Sequence, residues 1–342
     1  PHINSKQLKH YQIALIINAV ASYGMLISFT LWGYVTISII FSTTSLLTSL
    51  AFAILCYRDF TKATAIKQGQ WFLFANAMQV LSSIGTAVLV YTMITHQILQ
   101  QTYLASIYWY LHFQYNGWFF FACLGLLFTH IQKLVPDIEI PQSIFIYFSL
   151  SCIPAYGLSI LWLDLPLLVY LLVILAAICQ LCGWIVLFRF LKQHSILNLL
   201  TSGKKVISIV YIFIFVALSI KIILQFFSVI PSISEMAFGF RPIVIAYLHL
   251  ILLAVISLFL IATAYSLQII VNNTITIIAI LLLSLGVLLN ECALGLQGIA
   301  SLSYTPIPHI DQILVIISGL LVFSIGLLFL SQIHSYNKTK DL

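Results

Sequence analysis

Apolar residues along this chain form long uninterrupted runs, separated by short segments that carry charges, prolines and glycines. Each run has about 19–27 residues, which is enough for a helix to cross about 30 Å of hydrocarbon. No segment shows the alternating pattern of a membrane strand. The pattern therefore predicts an all-α polytopic transmembrane helix bundle of about ten helices, at residues 10–30, 34–57, 70–95, 105–129, 141–162, 165–191, 205–229, 241–265, 272–290 and 311–333.

The links between these runs are short, and no segment has the composition of a soluble domain. We therefore expect residues 1–342 to form a single transmembrane domain, with 334–342 as a short cytoplasmic tail. The chain begins Pro1-His2-Ile3-Asn4, which does not resemble a translation start. We expect further residues upstream, so that the N-terminus is incomplete.

Lysine and arginine are distributed unequally between the two sides of the predicted bundle. Ten crossings leave Arg241 alone on one side and Lys221 within a span. The other side, which receives both termini, holds twelve cations: Lys6, Lys9, Arg58, Lys62, Lys67, Lys133, Arg189, Lys192, Lys204, Lys205, Lys338 and Lys340. Because cytoplasmic loops are rich in Lys and Arg, both termini are predicted to be cytoplasmic in a bacterial inner membrane.

Composition makes the lipid bilayer the solvent for most of the surface. Hydrophobic residues are 62% of the chain and charged residues only 6%, against about 25% charged in soluble domains. The net charge of +6 comes from cations placed between apolar runs, so we expect no nucleic-acid partner. The six cysteines lie in or beside apolar runs and do not form the framework of a disulfide-rich secreted domain.

Ionisable residues within a bilayer are costly, so each one marks a candidate functional site. With the predicted orientation, His112 lies about 10 Å and His249 about 12 Å below the outer ends of their spans. Lys221 falls in the outer half of its span, and Glu291 at the outer end of its span. The same polar layer includes Gln114, Asn116, Gln225, Arg241 and Tyr247.

Two interpretations of this polar layer remain open. Its members either form one buried site in the outer half of the bundle, or they are hydrogen-bonding residues that hold helices together. Neutral imidazole is a good ligand for heme iron and copper, so His112 and His249 are candidate cofactor and metal ligands. No motif of hydrolytic or nucleotide chemistry is present.

Three runs carry a resemblance to a known family. They read YLHFQYNGWF at 110–119, RPIVIAYLHL at 241–250, and GMLISF followed by GY at 24–34. Together they resemble the subunit-I-like membrane proteins of Bacteroidetes, distant relatives of heme-copper oxidase subunit I. The resemblance implies a twelve-helix fold with cytoplasmic termini, of which two helices would lie upstream of this chain.

The resemblance also implies roles for individual residues. His112 matches the first copper histidine, on the sixth helix of the family fold, and His249 matches a low-spin heme ligand on the tenth. The catalytic heme histidine is replaced by Tyr247, the seventh-helix histidine pair has no match, and Asn116 replaces the usual tyrosine. The resemblance thus implies heme and argues against copper and against complete oxygen reduction.

Three functions follow as hypotheses. The first is a heme-binding subunit that transfers electrons or senses a gas, with respiratory membrane subunits or a cytochrome as partners; any enzymatic activity would be that of an oxidoreductase. The second is a transporter or channel that uses Lys221, Arg241 and Glu291. The third is a structural subunit in which the polar layer only docks helices.

Overall fold

The computed structural model describes residues 5–33, 35–62, 68–95 and 99–340, and within these ranges it is helical with no strand. Its fourteen α-helices are α1 (Ser5–Trp32), α2 (Thr36–Lys62), α3 (Gly69–Ile94), α4 (Gln100–His112), α5 (Phe120–Leu134), α6 (Gln142–Cys152), α7 (Leu167–Gln193), α8 (Ile196–Thr201), α9 (Lys205–Phe227), α10 (Pro231–Gly239), α11 (Arg241–His249), α12 (Leu258–Ser266), α13 (Thr274–Leu302) and α14 (Ile310–Lys340).

Three further helical segments are not α-helical. A π-helix, here named π1, covers Phe113–Phe119 and joins α4 to α5. A second, π2, covers Leu250–Ser257 and joins α11 to α12. A 3-10 helix, Pro154–Ser159, follows α6.

The prediction of an all-α polytopic bundle is confirmed. In the described part of the chain, nine continuous helices are long and apolar enough to cross a membrane. Two of them are compound: α4, π1 and α5 form one (Gln100–Leu134), and α11, π2 and α12 form another (Arg241–Ser266). The predicted span 141–162 differs, because it consists of the short apolar helix α6 and the 3-10 helix after it. Pro154 explains the change: it has no backbone N–H to donate to the carbonyl of Leu150.

The chain divides into two compact units, covering residues 1–125 and 126–342. In the first unit α1 packs along α2, α2 along α3, and α3 along α4 and π1. Polar contacts join the first pair: the Tyr11 hydroxyl donates to Asp59 at 2.9 Å and the Ser45 hydroxyl to the Asn18 side chain at 2.8 Å.

In the second unit α7 packs against α6, the 3-10 helix and α9, while α13 packs along α11 and α14. Small residues allow one of these approaches, because Ala155 and Leu158 are buried against Val173, Ala176 and Ala177. Large apolar side chains elsewhere face outward; Leu167 is 72% and Val322 74% exposed. Such surfaces need lipid, and the protein is a multi-pass membrane protein.

Candidate functional site

His112 is the last residue of α4 and directly precedes π1. Its side chain is completely buried, and its ring stands at 90° to that of Phe113, with 5.0 Å between the centroids. The side-chain amide of Asn116 lies 3.2 Å from Nδ1 of His112. Because an amide group can donate or accept, this contact permits either neutral tautomer of the histidine.

The helix that carries His112 is docked tightly on α3. A Cβ at Gly85 would lie 2.6 Å from the Ser106 carbonyl oxygen, and one at Gly117 would lie 2.6 Å from the Met78 Cβ. The two glycines therefore permit the backbones to approach closely, as small residues do between membrane helices.

Hydrogen bonds strengthen the same docking. The Trp109 indole N–H donates to the Leu81 carbonyl at 2.8 Å, and the Gln114 amide donates to the Ser82 hydroxyl at 2.8 Å. Gln114, one of the predicted polar layer, is thus engaged in holding α3 against π1. These contacts favour the helix-docking interpretation for this residue.

His249 is the last residue of α11 and directly precedes π2. Its Nδ1 lies 2.8 Å from the carbonyl oxygen of Ile245, one turn earlier. A carbonyl can only accept, so Nδ1 carries the proton and Nε2 of the neutral ring carries the lone pair. The side chain is half-buried rather than enclosed.

Both histidines thus occupy the same position relative to a π-helix, the residue immediately before it. Departures from α-helical hydrogen bonding are uncommon and occur frequently at functional sites. The sequence indicated the two histidines because burying an ionisable side chain in a bilayer is unfavourable. It did not predict the π-helices, because a hydropathy profile contains no information on backbone hydrogen bonding.

Lys221 lies in the outward-predicted half of α9 and is almost completely buried. Its amino group lies near the thiol of Cys152, the last residue of α6. Lys221 is therefore placed beside the break between α6 and the 3-10 helix. One turn further, Gln225 is also buried, and its Oε1 has no hydrogen-bond partner within the described part of the chain.

Glu291 is not at the end of its helix, as the predicted span 272–290 implied. α13 continues to Leu302, so the carboxyl lies about 16 Å from that end. The prediction of the helix end was wrong because the chain stays helical through small and polar residues that lower its hydropathy. Glu291 is half-buried and accepts a long 3.4 Å hydrogen bond from the Asn290 amide.

The two residues that complete the predicted layer lie on α11. Arg241 begins this helix and is exposed, while Tyr247 is half-buried two residues before His249. The start of α11 packs closely on α13, since a Cβ at Gly298 would lie 3.2 Å from the Ile243 side chain. Glu291 precedes Gly298 by seven residues, two helical turns, and so shares the face of α13 that meets α11.

The fit of these residues to a heme or metal ion differs between the two histidines. His249 presents an oriented Nε2 whose other ring nitrogen is held by a carbonyl, the usual arrangement of a metal-ligating histidine. His112 has no exposed surface, and Asn116 contacts its Nδ1. Within the described residues, no group of three or more His, Cys, Asp or Glu side chains could hold a metal ion.

Comparisons of the chain with protein-family models, with curated proteins and with solved structures gave no match.

Proposed function

We propose that this protein is a heme-binding subunit, of the heme-copper oxidase subunit I type, within a respiratory assembly of a bacterial inner membrane. The observation that supports the proposal is the 2.8 Å hydrogen bond from His249 Nδ1 to the Ile245 carbonyl, which leaves the lone pair of the neutral ring on Nε2. A backbone acceptor one turn away also fixes the orientation of the ring, because the carbonyl moves only with the helix.

In this proposal His249 would supply one protein ligand to the heme. The bound group would provide one-electron transfer or bind a small gas. Tyr247 stands where the family has its catalytic heme histidine, and with no match to the seventh-helix pair the chain offers no second metal centre of the oxidase type. The proposed role is therefore electron transfer or gas sensing rather than oxygen reduction.

A pyridine hemochrome spectrum of the purified full-length protein tests the proposal. We expect heme absorbance in the wild type and its loss in His249→Ala. The matched control is His10→Ala, because His10 is an exposed histidine on α1. Size-exclusion chromatography of each variant separates loss of heme from loss of fold. No heme in the wild type, or equal heme in both variants, would refute the proposal.

The orientation is part of the proposal. Ten crossings leave twelve cations on one side and Arg241 on the other, which supports two cytoplasmic termini. In the second unit Lys204 Nζ lies 5.0 Å from the ring centroid of Tyr265, so the start of α9 and the end of α12 share one side. Ten alternating crossings require that arrangement.

A second candidate function is transport, and the burial of Lys221 favours it. A lysine this deeply buried in an apolar helix is costly and commonly marks a substrate or ion pathway. Glu291, in the middle of α13, would be a second site on the path, with Arg241 at its entrance. Substrate uptake into proteoliposomes that is lost in Lys221→Ala, from protein that contains no heme, would favour this function over the first.

A further inference from the structure

The link between α7 and α9 carries a concentration of positive charge at one end of the second unit. Arg189 and Lys192 lie in the last turns of α7, Lys204 is the N-cap of α9, and Lys205 is its first residue. All four side chains are exposed. The short helix α8 between them packs against both α7 and α9, so the two pairs of cations belong to one compact corner.

No carboxylate in the nearby sequence neutralises this corner. The chain has no Asp or Glu from residue 165 to residue 234. Among the described residues, no ion pair joins any of the four cations to a carboxylate. Lys204 Nζ lies over the ring of Tyr265, 5.0 Å from its centroid, and this contact with a neutral ring leaves the ammonium charge uncompensated.

The backbone and the apolar neighbours give this corner the character of a membrane interface. Ser195 and Ser202 flank α8 with left-handed backbones (φ 49° for both), which turn the chain sharply into and out of the short helix. Phe188 and Leu199 are 50% and 38% exposed beside the cations. Exposed cations next to exposed apolar side chains are typical of surfaces that lie at the level of lipid headgroups.

We propose that this corner, defined by Arg189, Lys192, Lys204 and Lys205, is a binding surface for the headgroups of anionic phospholipids. Charge complementarity identifies the partner: four uncompensated cations face a phosphate-rich layer, while Phe188 and Leu199 contact the adjoining acyl chains. These cations also help to set the orientation of the protein in the membrane. That role does not require lipid headgroups to stay bound after the protein has folded and been extracted, whereas the proposed binding surface does.

The test uses purified full-length protein in neutral detergent, titrated with fluorescent phosphatidylglycerol and, separately, with fluorescent phosphatidylcholine. We expect tighter binding of the anionic lipid, weakened by added salt, and about tenfold or greater weakening in the double variant K204Q/K205Q. The matched control is R58Q/K133Q, which also removes two exposed cations; Arg58 lies 3.7 Å from Asp59. We expect this control to bind like the wild type.

Three outcomes would overturn the proposal. Equal binding of the two lipids would show that the headgroup charge is not recognised. Equal weakening in both double variants would show a diffuse effect of net charge. Displacement of the anionic lipid by millimolar inorganic phosphate would show a site for free anions instead. The assay needs no heme, so its outcome is independent of the proposed function.

Discussion

The two histidines that the sequence singled out differ in what holds their rings. His249 donates to a main-chain carbonyl, which has no alternative role, so its neutral tautomer is fixed. His112 contacts a side-chain amide that can be turned over, so its tautomer depends on Asn116. A metal or heme ligand needs a defined lone pair. His249 is therefore the stronger candidate for a ligand, and His112 is the stronger candidate for a structural role.

The structural role of His112 can be measured by its coupling to Asn116. We expect His112→Phe and Asn116→Leu each to destabilise the fold, because each removes the 3.2 Å contact between two buried polar groups. Unfolding in SDS of both single variants and the double variant should give a coupling free energy of about 0.5–2 kcal/mol. Additive effects would show that the 3.2 Å contact contributes nothing to stability.

Gly85 provides a second test at the residue scale. Gly85→Ala would place a Cβ 2.6 Å from the Ser106 carbonyl oxygen and 2.9 Å from the Tyr110 nitrogen. Because both atoms are backbone, the helices must separate, and we expect a loss of about 1–3 kcal/mol in unfolding free energy.

The control for this variant is Gly295→Ala on α13, where a Cβ meets nothing within 4 Å. That change should be neutral or stabilise the helix by up to about 1 kcal/mol, since alanine is the better helix former. If the two alanine variants have the same stability, the tight approach of α3 to α4 is not a determinant of the fold.

At the scale of the elements, hydropathy predicted the presence of helices better than it predicted their ends or their backbone hydrogen-bonding pattern. The predicted span 165–191 closely matches α7 (Leu167–Gln193), because its apolar run is bounded by Pro166 and by Lys192. The end of α13 was missed by about twelve residues, which left Glu291 at the edge of the predicted helix. π1, π2 and the break at Pro154 depend on backbone hydrogen bonding, which a window average over side chains does not record.

The break after α6 suggests a testable structural role for Lys221, which is to stabilise the broken end of that helix. Pro154 cannot donate to the Leu150 carbonyl, and the end of α6 bears the negative end of the helix dipole. The N–H donors of Lys221 beside Cys152 therefore offset part of the cost of burying this side chain. We expect Lys221→Met to lower the unfolding free energy by about 1 kcal/mol or more. Ile220→Met, at a lipid-facing neighbour that is 44% exposed, should have little effect.

A change at the proline separates this structural role from transport. Pro154→Ala restores an N–H for the Leu150 carbonyl, so Lys221→Met should destabilise this background less than it does the wild type. If the loss is the same in both backgrounds, the lysine side chain does not compensate for the broken helix. Lys221 would then be retained for a reason other than stability, which would favour the transport function.

At the scale of the molecule, the bundle is a consequence of composition. With so few charges, the outward faces must be apolar, and the exposed side chains of α7 and α14 are indeed large and apolar. Composition could predict the class and the solvent, but not the contacts of individual polar residues. Those contacts depend on how pairs of helices cross, for example where Gly85 of α3 packs against α4, and the sequence alone does not specify these crossings. The single-domain organisation, the cytoplasmic tail and the cofactor remain predictions.

The orientation of the whole molecule depends on whether the segment 142–159 crosses the membrane. The eleven residues of α6 rise about 16 Å and the six of the 3-10 helix about 12 Å, together close to the roughly 30 Å of a hydrocarbon core. The distribution of Lys and Arg agrees, since without this crossing Lys133 and the cations near α8 would fall on opposite sides.

We therefore expect Glu139 and Asp164, which flank the segment, to lie on opposite sides of the membrane. In a Cys292→Ser background, because Cys292 is exposed, an impermeant thiol reagent applied to intact cells should label Asp164→Cys and not Glu139→Cys. Ser202→Cys, which lies between α8 and the cations Lys204 and Lys205, should be labelled only after the cells are opened. Labelling of both flanking cysteines from the same face of the membrane would mean that the segment turns back within the membrane. The predicted direction of every helix either before or after the segment would then be reversed.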